Sequence, residues 1–409
     1  MVNCTLPWFE MFVRNTGVAR PCCYFAQSPS LMMTESGNLD IVQFWNGTFM
    51  QEVRGSWRDR RIAGTGCEDC RLLKFDLPVL PYLSMPENEL SPRQCANLRQ
   101  AQDEFRSQRS IMRAYPVKYT FEFGHQCNLR CAMCPQFDKV TAPRLDHEAL
   151  LRQVEILSLA DQISLQGGEP FVIPSVLRLI EAFSRIPDFA TVRLTFVTNG
   201  TLLHRHLDTL AAFRRVSLSV SLDAVGARYD RIRKGASWQQ TSANVLAVRD
   251  FIKKSRKDWQ LCTTIVMMKS SLETLLDFVD WCISHDVLCN AFQPMVQDGY
   301  LDDEDIFTHP ELLAGIPNWR DIIEVSIAKL ITRGWLQSAR HLATVGDELE
   351  RQVMRQTGNT SEPLTRFGSQ VAAVAAFDGE SQHFIKGGYA VLAKNMSVGV
   401  KRLLEKMSK

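Results

Sequence analysis

Two kinds of hydrophobic spacing alternate along the chain from residue 117 onward. Short runs of apolar and β-branched residues have the length and pattern of strands, and the stretches between them have the spacing of amphipathic helices. Six strands are predicted, at 117–123, 162–166, 192–197, 216–222, 260–268 and 288–294. Helices are predicted between them at 147–159, 175–186, 203–213 and 238–254. A further helix is predicted to begin at a capping box formed by Ser270 and Glu273.

This alternation predicts the fold class. Six strand–helix units in succession favour an α/β fold in which a parallel sheet with right-handed crossovers curls into a partial (β/α)6 barrel. In such folds the chemistry lies in the loops that follow the carboxyl ends of the strands.

The rest of the chain lacks the alternation and predicts three further units. Residues 1–75 form a cysteine-bearing N-terminal domain, and 76–116 form a linker and a polar helix predicted over 93–114. Four prolines punctuate the linker: Pro78, Pro81, Pro86 and Pro92. The barrel is predicted over 117–299, and 300–409 is a mostly helical C-terminal extension with a polar stretch at 357–363.

Composition narrows the class of protein. The chain has 409 residues with 47 basic and 45 acidic side chains, a balance that argues against nucleic-acid binding by a broad cationic surface. No apolar run approaches the roughly 20 residues of a membrane span, and no export signal is evident. A cytoplasmic protein without a membrane or nucleic-acid partner is therefore expected. Its 12 cysteines are then read as metal ligands or thiols rather than as a disulfide framework.

The most informative cysteines lie directly after the first predicted strand. Cys127, Cys131 and Cys134 have the spacing C-x3-C-x2-C and supply three thiolates to one loop. A four-iron, four-sulfur cluster normally takes four protein ligands, so three would leave one iron open for chemistry. A zinc site remains the alternative for the triplet considered alone.

The triplet resembles the signature of the radical S-adenosylmethionine (SAM) superfamily, in which the open iron chelates the amino and carboxylate groups of SAM. Gly167, Gly168 and Glu169 follow the second strand and resemble the motif that holds the methionine end of SAM. The glycines would let the backbone approach the ligand, and the carboxylate would accept from its ammonium group. The resemblance assigns five further positions to the SAM pocket: Thr198, Asn199, Ser221, Asp223 and Arg233. Arg233 matches an arginine that pairs with the SAM carboxylate.

A second cysteine group lies at the N-terminus. Its spacing is C-x12-G-x4-C followed by C-x2-C, and it resembles the SPASM auxiliary iron–sulfur domain, although that domain usually follows the barrel. The resemblance implies one auxiliary cluster with complete protein ligation by Cys4, Cys22, Cys67 and Cys70. Cys23 could replace Cys22, and structural zinc is the alternative metal.

The resemblance implies an enzyme that reductively cleaves SAM to a 5′-deoxyadenosyl radical and abstracts hydrogen from a substrate carbon. The triplet would be catalytic, and a flavodoxin or ferredoxin would supply electrons. Peptide modification is the expected reaction, as in many SPASM proteins. The alternatives are dehydrogenation, epimerisation or rearrangement of a small molecule such as a sugar or antibiotic precursor, and a non-catalytic zinc or iron–sulfur protein.

Overall fold

The structure, a computed structural model, describes most of the chain. The described residues are 4–23, 25, 40–62, 66–68, 70, 81–85, 87–134, 145, 147–295, 301–358, 367–368 and 371. Of the sequence predictions, Pro78, Pro86, residues 296–299 of the barrel and most of the stretch 357–363 lie outside these ranges.

The described residues form ten strands, which make one large sheet and one short ladder. The strands are β1 (Glu10–Val13), β2 (Ala19–Arg20), β3 (Lys118–Glu122), β4 (Arg130–Cys131), β5 (Gln162–Gln166), β6 (Arg193–Thr198), β7 (Arg215–Ser221), β8 (Arg233–Lys234), β9 (Asp258–Met267) and β10 (Leu288–Pro294). The large sheet has the order β10-β9-β7-β6-β5-β3-β1-β2, and β4 pairs with β8. The six predicted strands are β3, β5, β6, β7, β9 and β10, all parallel to their neighbours in this sheet. The predicted α/β fold with a parallel sheet is confirmed.

The helices of the described residues lie between and around these strands. They are α1 (Leu6–Phe9), α2 (Ile41–Trp45), α3 (Thr48–Arg58), α4 (Pro92–Arg106), α5 (His147–Leu151), α6 (Val154–Leu157), α7 (Pro174–Ser184), α8 (Leu207–Leu210), α9 (Gly226–Ile232), α10 (Trp238–Ser255), α11 (Lys269–Leu272), α12 (Leu275–His285), α13 (Trp319–Thr332) and α14 (Leu336–Gln356). None of them is long and apolar enough to cross a membrane.

Several helix predictions were wrong in detail. The helix predicted over 147–159 is broken at Gln153, whose side-chain oxygen accepts a hydrogen bond from the Ile41 N–H at 2.8 Å. The predicted capping box at Ser270 does not form, because the Ser270 N–H donates to the Glu304 carboxylate at 2.8 Å. The Ser271 hydroxyl instead accepts from the Met268 N–H at 2.9 Å, and α11 ends before α12 begins.

The N-terminal unit is continuous with the core sheet. β1 pairs in parallel with β3, in a register that sets Glu10 opposite Lys118, and these two side chains form an ion pair at 3.2 Å. The Tyr82 hydroxyl also donates to Glu10. The sheet therefore gains two strands, β1 and β2, beyond the six predicted ones, while the predicted domain boundaries remain untested.

A network of charged side chains, in which Asp161, Arg193 and Arg215 are buried, lies at the amino end of the central strands. Arg215 contacts Asp161 at 2.7 Å and Glu89 at 3.2 Å, and Arg193 contacts Glu89 at 3.2 Å and also Asp258. Two cations and three carboxylates thus neutralise most of one another's charge where burial would make an unpaired charge costly. We call this network the floor of the barrel.

Arg54 on α3 holds three segments of the N-terminal half together. Its guanidinium donates to the carbonyl oxygens of Pro7 at 2.9 Å, Trp45 at 2.8 Å and Ser110 at 2.9 Å, and it lies over the Trp45 ring. The side chain is fully buried. Its loss would leave three backbone carbonyls without these partners.

We expect Arg54→Met, which keeps the aliphatic stem and removes the donors, to lower the free energy of unfolding by about 3 kcal/mol. Urea denaturation followed by circular dichroism measures this change. Arg58→Met on the same helix is the control, because Arg58 is exposed and bonded to its neighbour Asp59. Equal unfolding midpoints for the two variants would contradict the structural role of Arg54.

Candidate active site

The cysteine loop is held directly against the glycine turn. The Gly168 N–H donates to the Gly124 carbonyl at 2.8 Å, and the Glu169 N–H donates to the Gln126 carbonyl at 2.8 Å. A Cβ atom at Gly168 would lie 2.6 Å from the His125 carbonyl oxygen and closer still to that of Gln126. Gly168 is therefore required because the backbone of the cysteine loop lies against it. On the sequence pattern alone, the glycine is explained instead by the close approach of a ligand.

A two-residue ladder fixes the second half of the loop. β4 and β8 are antiparallel, and Cys131 lies opposite Arg233. The Ala132 N–H extends the ladder by donating to the Ile232 carbonyl at 2.8 Å. Arg233 Nη1 then lies 3.8 Å from Cys131 Sγ, within reach of a hydrogen bond to sulfur.

The first cysteine lies in a network of amides and a hydroxyl. Asn128 donates to the Thr201 hydroxyl at 2.9 Å, Thr201 donates to Asn199 Oδ1 at 2.6 Å, and Asn199 donates to Asn128 Oδ1 at 2.9 Å. This closed ring joins the cysteine loop to the end of β6. Asn199 Nδ2 also lies 3.8 Å from Cys127 Sγ, and the Leu129 N–H lies 3.4 Å from the same sulfur.

Glu169 is a buried carboxylate with neutral partners. It accepts from the Thr198 hydroxyl at 2.7 Å, the Asn199 N–H at 2.7 Å and the Phe171 N–H at 3.2 Å. Burial raises the pKa of Glu169, and these three donors oppose that effect. No Lys, Arg or His of the described residues forms an ion pair with it. The charge of Arg233 also lowers the pKa of Glu169 without an ion pair between them, and a bound ammonium group would supply a direct counter-charge.

Asp223 and Arg233 form a buried ion pair beside the triplet. Asp223 Oδ2 accepts from Arg233 Nε at 2.8 Å and lies 2.6 Å from Nη2, while Oδ1 accepts from the Val266 N–H at 2.8 Å. Asp223 has a left-handed φ of 65° and is fully buried. Burial lowers the pKa of Arg233, but Asp223, Cys131 and Tyr229 together outweigh burial and raise the pKa overall. Arg233 is thus engaged with protein groups at the position where the resemblance implies a SAM carboxylate.

The three thiols of the triplet are electrostatic neighbours. Burial raises the pKa of Cys131 to about 11, and the nearby Cys127 and Cys134 act in the same direction while Arg233 acts against it. Among the described residues, no three His, Cys, Asp or Glu side chains converge as ligands of one metal ion. A cluster takes one thiolate per iron, so its ligands need not converge on one point. The donor set fits a cluster, and metal binding would favour the thiolate forms.

The inward face of the sheet is polar and is partly exposed on β6, β7 and β9. Parallel sheets are usually buried on both faces, but here Val216, Leu218 and Val220 of β7 are buried while the intervening serines are half-buried. One row in register across five strands consists of Thr120, Ser164, Thr195, Ser217 and Gln260. Val197, on a central strand, is 42% exposed. We call this surface the polar face; Ser221 lies on it and accepts from the Thr264 hydroxyl at 3.3 Å.

The N-terminal cysteines lie at the other end of the first core strand. Burial raises the pKa of Cys4 to about 12, and the neighbouring Cys67 and Cys70 contribute in the same direction. Cys23 is close enough to Cys70, Glu10 and Lys118 to be affected by their charges. Cys22 is buried and acts on the Arg20 side chain. The choice between Cys22 and Cys23 as a ligand therefore stays open, as does the metal.

Sequence reasoning missed the residues that support the predicted ones. Asn128 and Thr201 are 73 positions apart, so their contact is not visible in the sequence. The Val266 N–H that fixes Asp223 is a backbone group with no sequence signal. The polar face had a signal, since Ser217, Ser219 and Ser221 alternate with apolar residues, but the pattern did not say that the face is partly exposed.

The loop after β3 carries three neighbouring thiols at the carboxyl edge of a mainly parallel α/β sheet. This combination is typical of proteins that bind a redox cluster. Residues 121–282 match the family model described as the Radical SAM superfamily. A four-iron, four-sulfur cluster and SAM are the cofactors that this family implies.

Curated relatives are similar to part of the chain. A GTP 3′,8-cyclase of Petrotoga mobilis is 27% identical over 171 residues, which cover 40% of this chain and 50% of the relative. Human Molybdenum cofactor biosynthesis protein 1 is 32% identical over 163 residues, 34% of this chain and 25% of the relative. The chain thus spans half the length of the first relative and a quarter of the second.

Among solved structures, Streptococcus suis SuiB bound to S-adenosylmethionine is 15% identical with a TM-score of 0.38, covering 68% of this chain and 59% of that chain.

We expect Gly168→Ala to displace the cysteine loop and to lower the iron content by about four irons per chain after anaerobic reconstitution. The reason is the overlap of the new Cβ with the His125 and Gln126 carbonyls. Gly55→Ala is the control, since a Cβ there has no neighbour nearer than 3.7 Å. Unchanged iron in Gly168→Ala would contradict the proposed contact between turn and loop.

Proposed function

We propose that this protein is a radical SAM enzyme that abstracts hydrogen from a substrate carbon, with peptide modification as its reaction. The observation that carries the proposal is the cysteine loop hydrogen-bonded to the Gly167–Glu169 turn, which carries a buried carboxylate whose hydrogen-bond donors are all neutral. The reduced cluster would supply the electron that cleaves SAM to methionine and the 5′-deoxyadenosyl radical.

Different residues would bind the cluster and SAM. Cys127, Cys131 and Cys134 would bind three irons, and Glu169 would accept from the ammonium group of SAM. Thr198 and the Asn199 N–H keep the Glu169 carboxylate oriented through their hydrogen bonds of 2.7 Å each. The backbone of Gly167 and Gly168 holds turn and loop at a fixed separation, which orients the ligand relative to the cluster.

The side chains of the polar face favour a substrate whose contacting part carries no charge. Between the floor and the cysteine loop, the inward positions of β5, β6, β7 and β9 carry hydroxyl, amide, thiol or valine side chains. The cations at the floor are already paired with carboxylates. A triphosphate needs unpaired cations, so this face argues against the nucleotide named in the GTP 3′,8-cyclase relative. Peptide amides match these donors and acceptors.

A hydroxyl-rich small molecule such as a sugar is the second candidate substrate. The row from Thr120 to Gln260 has four hydroxyl groups and one amide in register, of which those of Thr120 and Ser164 are buried. Thr195 Oγ1 has no hydrogen-bond partner in the described residues. Either substrate would satisfy such groups, and dehydrogenation or epimerisation would be the reaction for a sugar.

We further propose one auxiliary cluster at the N-terminal cysteines. Its support is the proximity of Cys4, Cys67 and Cys70 and the burial that raises the pKa of Cys4 and so disfavours its unliganded thiolate. β2 runs antiparallel to β1, so the chain after Arg20 returns toward Glu10 at the amino end of the sheet. The cysteine triplet follows the carboxyl end of β3. An auxiliary cluster there would exchange electrons with a substrate held between the two ends, and a flavodoxin or ferredoxin would reduce the enzyme.

We expect the reconstituted protein to form 5′-deoxyadenosine and methionine when incubated anaerobically with SAM and dithionite. Cys131→Ala should abolish product, detected by liquid chromatography and mass spectrometry, because one iron loses its ligand. Cys95→Ala should retain wild-type activity, since Cys95 lies on α4 away from the site. Full activity in Cys131→Ala would refute the proposed reaction.

The same assay separates the substrate classes. A precursor peptide encoded beside the gene should raise the rate of 5′-deoxyadenosine formation and gain a mass change. GTP should leave that rate unchanged. Stimulation by GTP with conversion of GTP would overturn the proposed class.

Metal analysis tests the auxiliary site. We expect about eight irons per wild-type chain and about four in either Cys131→Ala or Cys4→Ala. About four irons and one zinc in the wild type, with the zinc lost in Cys4→Ala, would show that the N-terminal site is a structural zinc site. About four irons without zinc in the wild type would leave only the cluster of the triplet.

A further inference from the structure

Arg233 contacts a thiol of the triplet and a buried carboxylate at the same time. Its Nη1 lies 3.8 Å from Cys131 Sγ, and its Nε and Nη2 lie 2.8 Å and 2.6 Å from Asp223 Oδ2. We propose that the Arg233–Asp223 pair sets the reduction potential of the cluster through Cys131. This inference rests on the proposed function, because it requires a cluster at the triplet.

The pair is held rigidly at this distance. The β4–β8 ladder sets Cys131 opposite Arg233, so the backbone fixes one end of the contact. The Val266 N–H donates to Asp223 Oδ1 and fixes the other end to β9. Both charged side chains are buried, which means that solvent and salt screen them weakly.

The charges act on the cluster with opposite signs. A guanidinium keeps its positive charge and donates to the sulfur, and both effects stabilise the more negative, reduced cluster. Asp223 lies on the far side of Arg233 from Cys131, and its negative charge partly cancels the effect of Arg233 on the cluster. Arg233 should therefore raise the potential of the cluster, and Asp223 should limit the increase.

This role differs from the one implied by family resemblance. An arginine that only pairs with the SAM carboxylate would change the affinity for SAM and leave the SAM-free cluster unaltered. Arg233 already uses three of its donor directions on Asp223 and Cys131, before any ligand binds. A measurement without SAM thus separates the two roles.

The experiment is a potentiometric titration of the full-length reconstituted protein without SAM, followed by electron paramagnetic resonance. The signal of the triplet's cluster is identified by its loss in Cys131→Ala. We expect Arg233→Gln to shift the midpoint potential to more negative values. Asp223→Asn should shift it to more positive values, because the charge of Arg233 is then uncompensated. Arg233→Lys should remain closer to the wild type than Arg233→Gln.

The matched control is Lys234→Gln, which removes a positive charge one residue away. Lys234 is exposed, so solvent and salt screen its charge and the potential should not move. If Arg233→Gln does not fold, the double variant with Asp223→Asn removes both charges. Its midpoint potential should be more negative than that of Asp223→Asn alone. Variants that bind a cluster but leave its potential unchanged, or shift it in one common direction, overturn the inference.

Failure of the proposed function has a different signature. In that case the wild-type protein binds no cluster at the triplet or cleaves no SAM. A wild type that cleaves SAM, with an Arg233→Gln variant altered only in the KM for SAM, would reject this inference alone and favour the carboxylate role.

Discussion

The site depends on the close approach of two backbones, the cysteine loop after β3 and the glycine turn after β5. Two hydrogen bonds of 2.8 Å join them, and there is no room for a side chain at Gly168. Because neighbouring parallel strands end at the same edge of a sheet, this contact brings the thiols and the Glu169 carboxylate to one place. The Asn128–Asn199–Thr201 ring and the β4–β8 ladder then hold the loop from two further directions.

Charge is distributed unevenly between the two ends of the sheet. At the floor, arginines and carboxylates neutralise one another, as buried charges must if they are not to destabilise the fold. At the opposite end, Glu169 has only neutral donors in the described residues, and the polar face between the two ends is uncharged on its central strands. The proposed ammonium group of SAM would bring a positive charge next to Glu169, beside the already paired Arg233 and Asp223.

The accuracy of the sequence predictions depended on how local the deciding interactions are. The strands were predicted to within two residues, because alternation and burial are encoded in each segment. The helix over 147–159 was broken and the capping box at Ser270 was not formed, because Gln153 and Ser270 bond to Ile41 and Glu304, far away in sequence. The same reason hid the pairing of β1 with β3, which joins the N-terminal unit to the core sheet.

The sequence by itself determined which groups are available: three thiols after the first strand, a glycine turn with a carboxylate after the second, and the order of six strands. These follow from spacing and periodicity, which are properties of short segments. Only the tertiary structure decided which partners those groups take. Arg233 meets Cys131 and Asp223 rather than standing free, and Gly168 accommodates backbone, because contacts between distant segments form only once the sheet is assembled.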